Sequence, residues 1–498
     1  MALTLGAWLW SPLSWAGDVS LSQKEVADLA KPSVVRIVEK VKGKATVPEI
    51  QVDFKTMTVE LKKVDGKEAP PYELQVDDYF SGSGVIVHPD GYILTNSHVI
   101  SYQSIKNLIV ADFIYSALEE GALVLNEEEI QQYVSSRSEE EIEEFAEKVS
   151  DFILERSQFE LEKNIVVLNP ALKKEKFEDL VAKSFPAQVI SVNDNFYKDD
   201  RDAALIKIDQ TGLPALSLGD SNSVSVGKKV YIYGYPSTAT INTSDNLEPT
   251  FTQGTLSATK DSKKKDFKIF QTDAKISRGS SGGPLLDESG KIIGLVTFIT
   301  AETFKEEGDS FAFALPIDLS VNSVKNFILP EKSIPEFTSG KYESGFLEGL
   351  TFFRENQCSK AIEAFGRTKD SINENFLSEE RVGDYIGQCN EKIKKGQSND
   401  SSLSIWVSKF RAIDQTTKWI VATSLAVLII LAIAWLWLFR KVKRDEKELD
   451  NVEEFLHLNL EDGKPTKNSE ENSEEKNTNI ALEEKSEDKK DFLDQFKP

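Results

Sequence analysis

Residues 277–286 read SRGSSGGPLL. Two adjacent serines stand among glycines, ahead of a proline and two leucines. Read alone, the stretch has two meanings. Gly and Ser are turn residues, because one tolerates positive φ and the other bonds its own backbone, so this is a tight turn between strands. Alternatively, Ser281 is a nucleophile carried on that turn. The choice rests on whether the chain also supplies a base, an orienting carboxylate and donors for an oxyanion.

The base has few candidates. The 498 residues include three histidines, His88, His98 and His457. His98 follows a β-type run in GYILTNSHVI, whereas His88 sits in VHPDG, a turn signature. Asp202 opens another run, DAALIKID, with Asp199 and Asp200 as neighbouring carboxylates. The chain order His98, Asp202, Ser281 is that of the chymotrypsin-like arrangement. The chemistry needs these residue types. A serine hydroxyl is too weak an acid to attack an amide unaided, so an imidazole takes its proton and later returns one to the leaving amine. A carboxylate holds the imidazole in the useful tautomer, and backbone N–H groups receive the developing oxyanion.

The surrounding stretches GSGVIVHPDGYILTNSHVI, DAALIKI, TDAKISRGSSGGPLLDESGKIIGLVT and FAFALPID closely resemble the HtrA/Deg family of trypsin-fold serine proteases. The resemblance covers roughly residues 30–327, apart from two insertions. It implies a mainly β, two-barrel chymotrypsin-like protease domain, with Ser281 as nucleophile, His98 as general base and acid, and Asp202 as orienting carboxylate. The oxyanion hole would come from the amides of Gly279 and Ser281, with Ser280 beside them. The resemblance further implies polypeptide substrates, no metal and no cofactor. Trimers are frequent in the family, so a homo-oligomer is implied too.

The chain also departs from the family. No PDZ domain follows FAFALPID. Where the family usually has Asn-Pro-Gly-Asn, this chain has Ser277-Arg278-Gly279-Ser280. Lys275 stands six positions before Ser281, where trypsin-like enzymes often set the primary specificity pocket. Pointing inward it would favour an acidic side chain; pointing to solvent it would leave a pocket for small apolar residues. The loop TAETFKEEGDS, residues 300–310, is placed to shape or gate that pocket.

The net charge of −23 argues against a nucleic-acid binder, which needs a basic face. Two cysteines, Cys358 and Cys389, are too few for a disulfide framework. They are candidates for one disulfide in an oxidising compartment, or for two separate buried thiols. The N-terminus, MALTLGAWLWSPLSWAGDVS, reads as a signal peptide over 1–16, with a small-x-small site at Ser14-Trp15-Ala16 but no basic n-region. A buried N-terminal helix is the alternative. Residues 419–439 are apolar and uncharged, the length of a transmembrane helix, and RKVKR follows at once. Together these predict a single-pass protein of the cell membrane, with the protease domain outside the cytoplasm, periplasmic in type, and the tail inside. His457 would then lie across the membrane from Ser281.

Composition divides the chain further. Short β runs separated by turn signals fill the protease domain, 24–327. A polar insertion occupies 44–78. A second, 104–163, is acidic and helical, with Ile130, Tyr133, Ile142, Phe145, Val149 and Phe152 on one face. It is either a decoration packed on the barrel or a lid. Residues 340–396 are helical. Gly349, Phe352, Ala361 and Phe365 match the spacing of a tetratricopeptide-like repeat, and Gly383 and Ile386 repeat 34 residues on. A generic helical hairpin is the alternative reading. A linker, 397–418, precedes the span, and 440–498 form an acidic tail of disordered composition. Two functions follow from the whole: a membrane-anchored endopeptidase for exposed or misfolded proteins, or a latent protease-like scaffold that binds a partner at the helical repeat.

Overall fold

The computed structural model describes residues 20–53, 55–119, 135–172, 175–236, 247–262, 267–297, 311–327, 334–376, 379–401, 419, 423–424, 426–441 and 443–444. The expected signal peptide, the loop 300–310, and the tail beyond 444 lie outside them, as do Ile130, Tyr133 and most of the linker. Two units divide the chain, 1–409 and 410–498.

In the first unit the short alternating runs close into two six-stranded antiparallel barrels. One joins β1 (Val34–Val47), β6 (Tyr72–His88), β7 (Tyr92–Thr95), β10 (Ala204–Ile208), β9 (Phe185–Ser191) and β8 (Gln158–Val167). The other joins β11 (Lys229–Gly234), β12 (Thr250–Asp261), β13 (Lys268–Thr272), β16 (Ala312–Pro316), β15 (Ile292–Thr297) and β14 (Pro284–Leu286). Strand alternation explains the filling. Val35, Ile37, Ile86, Ile93, Ala204 and Ile206 point into the first barrel, and Val230, Ile232, Phe270, Leu285 and Val296 into the second. The opposite faces, with Val34, Val85, Leu205, Tyr231, Tyr233 and Leu295, build the core shared by the barrels and the helices against them.

The polar insertion at residues 44–78 is built of paired strands. They lengthen the first hairpin: β1 and β6 pair without a break from Val34↔Val85 to Val47↔Tyr72. Two small hairpins follow at its tip, β2 (Ile50–Asp53) with β3 (Thr58–Leu61), and β4 (Lys63–Val64) with β5 (Lys67–Glu68). One face of this extension is covered by the acidic insertion. Ile105 and Ile109 of α3 (Tyr102–Glu119) and Ile153 of α4 (Glu139–Arg156) bury against Val41, Ala45, Val47 and Val76. Phe145 of α4 is also buried, while Glu141, Glu144, Glu147 and Glu155 are exposed. A capping box of Ser138 and Glu141 starts α4.

The helical region holds α8 (Gly340–Arg354), α9 (Cys358–Asp370) and α10 (Glu379–Lys394). Gly349 is required where α8 crosses α9: a Cβ there would stand 2.6 Å from the Phe365 ring. Gly383 meets nothing within 4 Å, because no further helix of the described residues presses on it. The hairpin is therefore followed by one helix and not by a second packed repeat. Its aromatic face is not open. Phe346, Phe365 and Tyr385 share a core with Val26 and Leu29 of α1 (Gln23–Ala30). The Tyr342 hydroxyl donates to the Leu29 carbonyl at 2.6 Å. Asp28, fully buried, accepts from the Tyr385 hydroxyl at 2.9 Å and pairs with Arg381 and Lys24. Arg354 donates to Glu25 through Nε at 3.0 Å. α1 thus packs against the face of the helical region that carries these aromatic rings. Cys358 and Cys389 are free, buried thiols that lie side by side, and burial together with the Cys358 thiol pushes Cys389 up.

In the second unit, residues 426–441 are helical, and their apolar side chains from Val427 to Phe439 are exposed. No helix of the described residues is long and apolar enough to cross a membrane. Positions 420–422 and 425 of the expected span fall outside the description.

Candidate active site

Strand pairing brings His98 and Asp202 together. Antiparallel β7 and β10 align Thr95 with Ala204, so the residues just past one strand meet those just before the other. Side chains stitch the two ends: Asn96 Nδ2 donates to the Asp202 carbonyl at 2.6 Å, and Ser97 Oγ to the Ala203 carbonyl at 2.8 Å. His98 then sits in a short helix, α2 (Ser97–Ile100). Its Nδ1 lies 2.6 Å from Asp202 Oδ2, and its amide donates to Oδ1 at 2.9 Å. Thr297, at the end of β15 in the other barrel, donates its hydroxyl to the same Oδ2 at 2.6 Å. Asp202 is buried, and burial pushes its carboxyl up. The charge and hydrogen bonds of His98 with the Thr297 hydroxyl outweigh that and hold it below the usual carboxylate range. His98 keeps 26% of its side chain exposed, so the far edge of the ring is open to a reactant.

Ser281 arrives from the second barrel, on the turn between β13 and β14. Gly282 has φ +83°, and a Cβ there would stand 2.1 Å from the Ser83 carbonyl. At Gly283 it would meet the Tyr233 carbonyl at 2.1 Å. Both glycines are needed for this approach to the strands, and no larger residue fits. The turn is bolted at several points. Ser83 N–H donates to the Ser281 carbonyl at 2.8 Å, Gly282 N–H to Val296 at 2.9 Å, and Gly283 N–H to Ser280 at 3.0 Å.

The amides of this turn have unequal duties. Ser280 N–H donates to the Ser277 carbonyl at 3.0 Å, so it is spent inside the turn and leaves the expected oxyanion set. The N–H groups of Gly279 (φ +95°) and Ser281 find no acceptor among the described residues. Lys275 is exposed. Asp199 serves its own turn, accepting from Asn193 Nδ2 at 2.9 Å and Arg201 N–H at 3.0 Å. His88 accepts from the Asp90 amide at 3.1 Å, also within a turn. A cavity of about 440 Å³ bordered by Lys31, Tyr235, Leu247 and Phe376 contains none of the three side chains. Thr297 was not singled out from the sequence. Only its place at the end of GLVT, across the interbarrel cleft from Asp202, reveals it.

A family model described as trypsin-like peptidase domain matches residues 164–295, a range that includes Asp202 and Ser281 but not His98. The chain carries a trypsin-like serine protease domain. Curated relatives of this protease domain include a probable periplasmic serine endoprotease, DegP-like, of Pseudomonas savastanoi pv. phaseolicola. It is 26% identical over 71% of this chain and 58% of its own. The putative serine protease HhoB of Synechocystis is 32% identical over 29% of this chain and 31% of its own. The mitochondrial serine protease HTRA2 of Drosophila pseudoobscura is 30% identical over 34% of this chain and 36% of its own. The chain therefore spans less than two thirds of the length of these relatives. A solved structure, the HtrA-type protease AlgW with a decapeptide, is 19% identical over 62% of this chain and 67% of that one, with a TM-score of 0.33.

Proposed function

We propose that this protein is a membrane-anchored serine endopeptidase that cleaves exposed or misfolded proteins outside the cytoplasm. The observation that carries the reading is the buried carboxylate of Asp202, which lies 2.6 Å from His98 Nδ1 and accepts from Thr297, the residue after the Val296 whose carbonyl holds the Ser281 turn through Gly282 N–H. In this reading His98 takes the Ser281 proton, Ser281 Oγ attacks the scissile carbonyl, and the N–H groups of Gly279 and Ser281 receive the oxyanion. The imidazolium then protonates the leaving amine, and water repeats the sequence to release the acid. Asp202 stays ionised throughout and stabilises the imidazolium, with Thr297 as its second donor.

Anchoring rests on the uncharged apolar run 419–439 and the basic cluster after it. The extracytoplasmic location draws on the same segment, on the signal-like N-terminus, and on relatives named as periplasmic. Homotrimers and a partner-binding role for the tetratricopeptide-like helices come from the family resemblance and the repeat spacing alone. A fluorophosphonate label on the full-length protein, beside its Ser281→Ala twin, tests the reading. Labelling of the first and not the second is expected. Labelling of neither would favour a latent scaffold, whose function would survive Ser281→Ala.

A further inference from the structure

Ser83 stands outside the His98–Asp202–Ser281 set, yet all its polar atoms are spent around it. Its N–H donates to the Ser281 carbonyl at 2.8 Å, and its carbonyl accepts from Thr95 Oγ1 at 2.7 Å. Its hydroxyl accepts from the Tyr235 amide at 2.9 Å and donates to the Gly279 carbonyl at 2.7 Å. The residue has no exposed surface. It lies on β6 of the first barrel, whereas Tyr235 and Gly279 belong to the second, so one buried hydroxyl joins the barrels at the nucleophile turn.

The peptide between Gly279 and Ser280 is held at both ends, its carbonyl by Ser83 Oγ and its N–H by the Ser277 carbonyl at 3.0 Å. Gly279, at φ +95°, has no side chain to restrict its backbone. Its carbonyl is its only polar atom with a partner among the described residues. Without that anchor the Gly279 unit can swing, and its N–H loses its aim. Ser83 itself is fully buried, and a Gly279 carbonyl that lost its donor would seek a new one by moving.

We infer that the Ser83 hydroxyl is a positioning residue that fixes the Gly279 N–H toward the oxyanion, so that oxyanion stabilisation is controlled from the opposite barrel. The inference rests on the serine-protease reading above. It touches no substrate atom. It sets the direction of a group that does.

The test compares full-length wild type, S83A and S83C by their rate of phosphonylation with a fluorophosphonate, in which the serine displaces fluoride from phosphorus, and by kcat and KM on denatured casein. Melting temperatures are measured alongside. S83A is expected to react with the fluorophosphonate about tenfold to hundredfold more slowly, with kcat falling in step, KM unchanged and the fold intact. S83C, of similar size with a weaker donor, falls between the two. Should S83A fail to fold, S83C decides: slower phosphonylation at unchanged KM supports the role, and a wild-type rate overturns it. An active wild type matched by an equally fast S83A overturns the inference and leaves the protease reading standing. A wild type that is neither labelled nor active overturns both.

Discussion

Two hydroxyls and one carboxyl decide how the site behaves at the scale of single residues. Thr297 donates one of the three hydrogen bonds that keep Asp202 ionised against its burial. Thr297→Val keeps the shape and removes the donor. Hydrogen bonds to charged groups contribute about 1.5–3 kcal/mol, so kcat should fall by about one to two orders of magnitude with KM little changed. Steady-state kinetics on casein would show it, and a wild-type kcat would rule the role out. Asp202→Asn should cost more, about four orders of magnitude, because the imidazole would settle in the wrong tautomer. Glu39 makes a different prediction. Burial raises its carboxyl to about 7, with the Lys163 ammonium pulling the other way. Because the folded value lies above the unfolded one, the folded state keeps a proton that the unfolded chain sheds near pH 4.5. Stability therefore declines between about pH 4.5 and 7, by roughly 3 kcal/mol in all. Urea titrations across that window should show the slope in the wild type and lose it in Glu39→Gln. Equal slopes would refute the assignment.

Among the elements, what was legible in the sequence was local. The strands that flank His98, Asp202 and Ser281 announce themselves by alternation, and the glycines of GSSGG by their crowding. The extension of β1 and β6 did not. Its pairing joins residues on either side of two small hairpins, and much of it is polar, so it reads as an insertion. Ser83 was quoted as part of GSGVIV, but its duty depends on a carbonyl 196 positions away. Gly349 illustrates the same point. The repeat spacing singled it out with Gly383, yet only Gly349 has a ring against it. Gly349→Ala should therefore lower stability by about 1–3 kcal/mol through overpacking. Gly383→Ala should be neutral or slightly stabilising, since alanine favours a helix. Thermal melts of the two variants separate these cases, and equal shifts would contradict the packing described.

For the molecule as a whole, one core runs from both barrels through α1 into α8 and α10. The protease barrels and the helical region should therefore melt in a single calorimetric transition. Two resolved transitions would mean that the helices fold as an independent domain. The buried Asp28 is the polar centre of this junction. Asp28→Ala should cost about 2–4 kcal/mol, less than a fully enclosed pair would, because Arg381 keeps 30% of its side chain exposed and can recover water.

The junction also sets a schedule. Asp28 is synthesised before Arg381, which follows 353 residues later. At about 5–20 residues per second the interval is roughly 20–70 s. Throughout that time Asp28 lacks its Arg381 partner, although α1 can already share a core with barrel residues such as Val34, Val85 and Tyr233. The barrels can close around Ser281 well before this ion pair forms, so the contact that completes the junction is the one that ties α1 to the helical region.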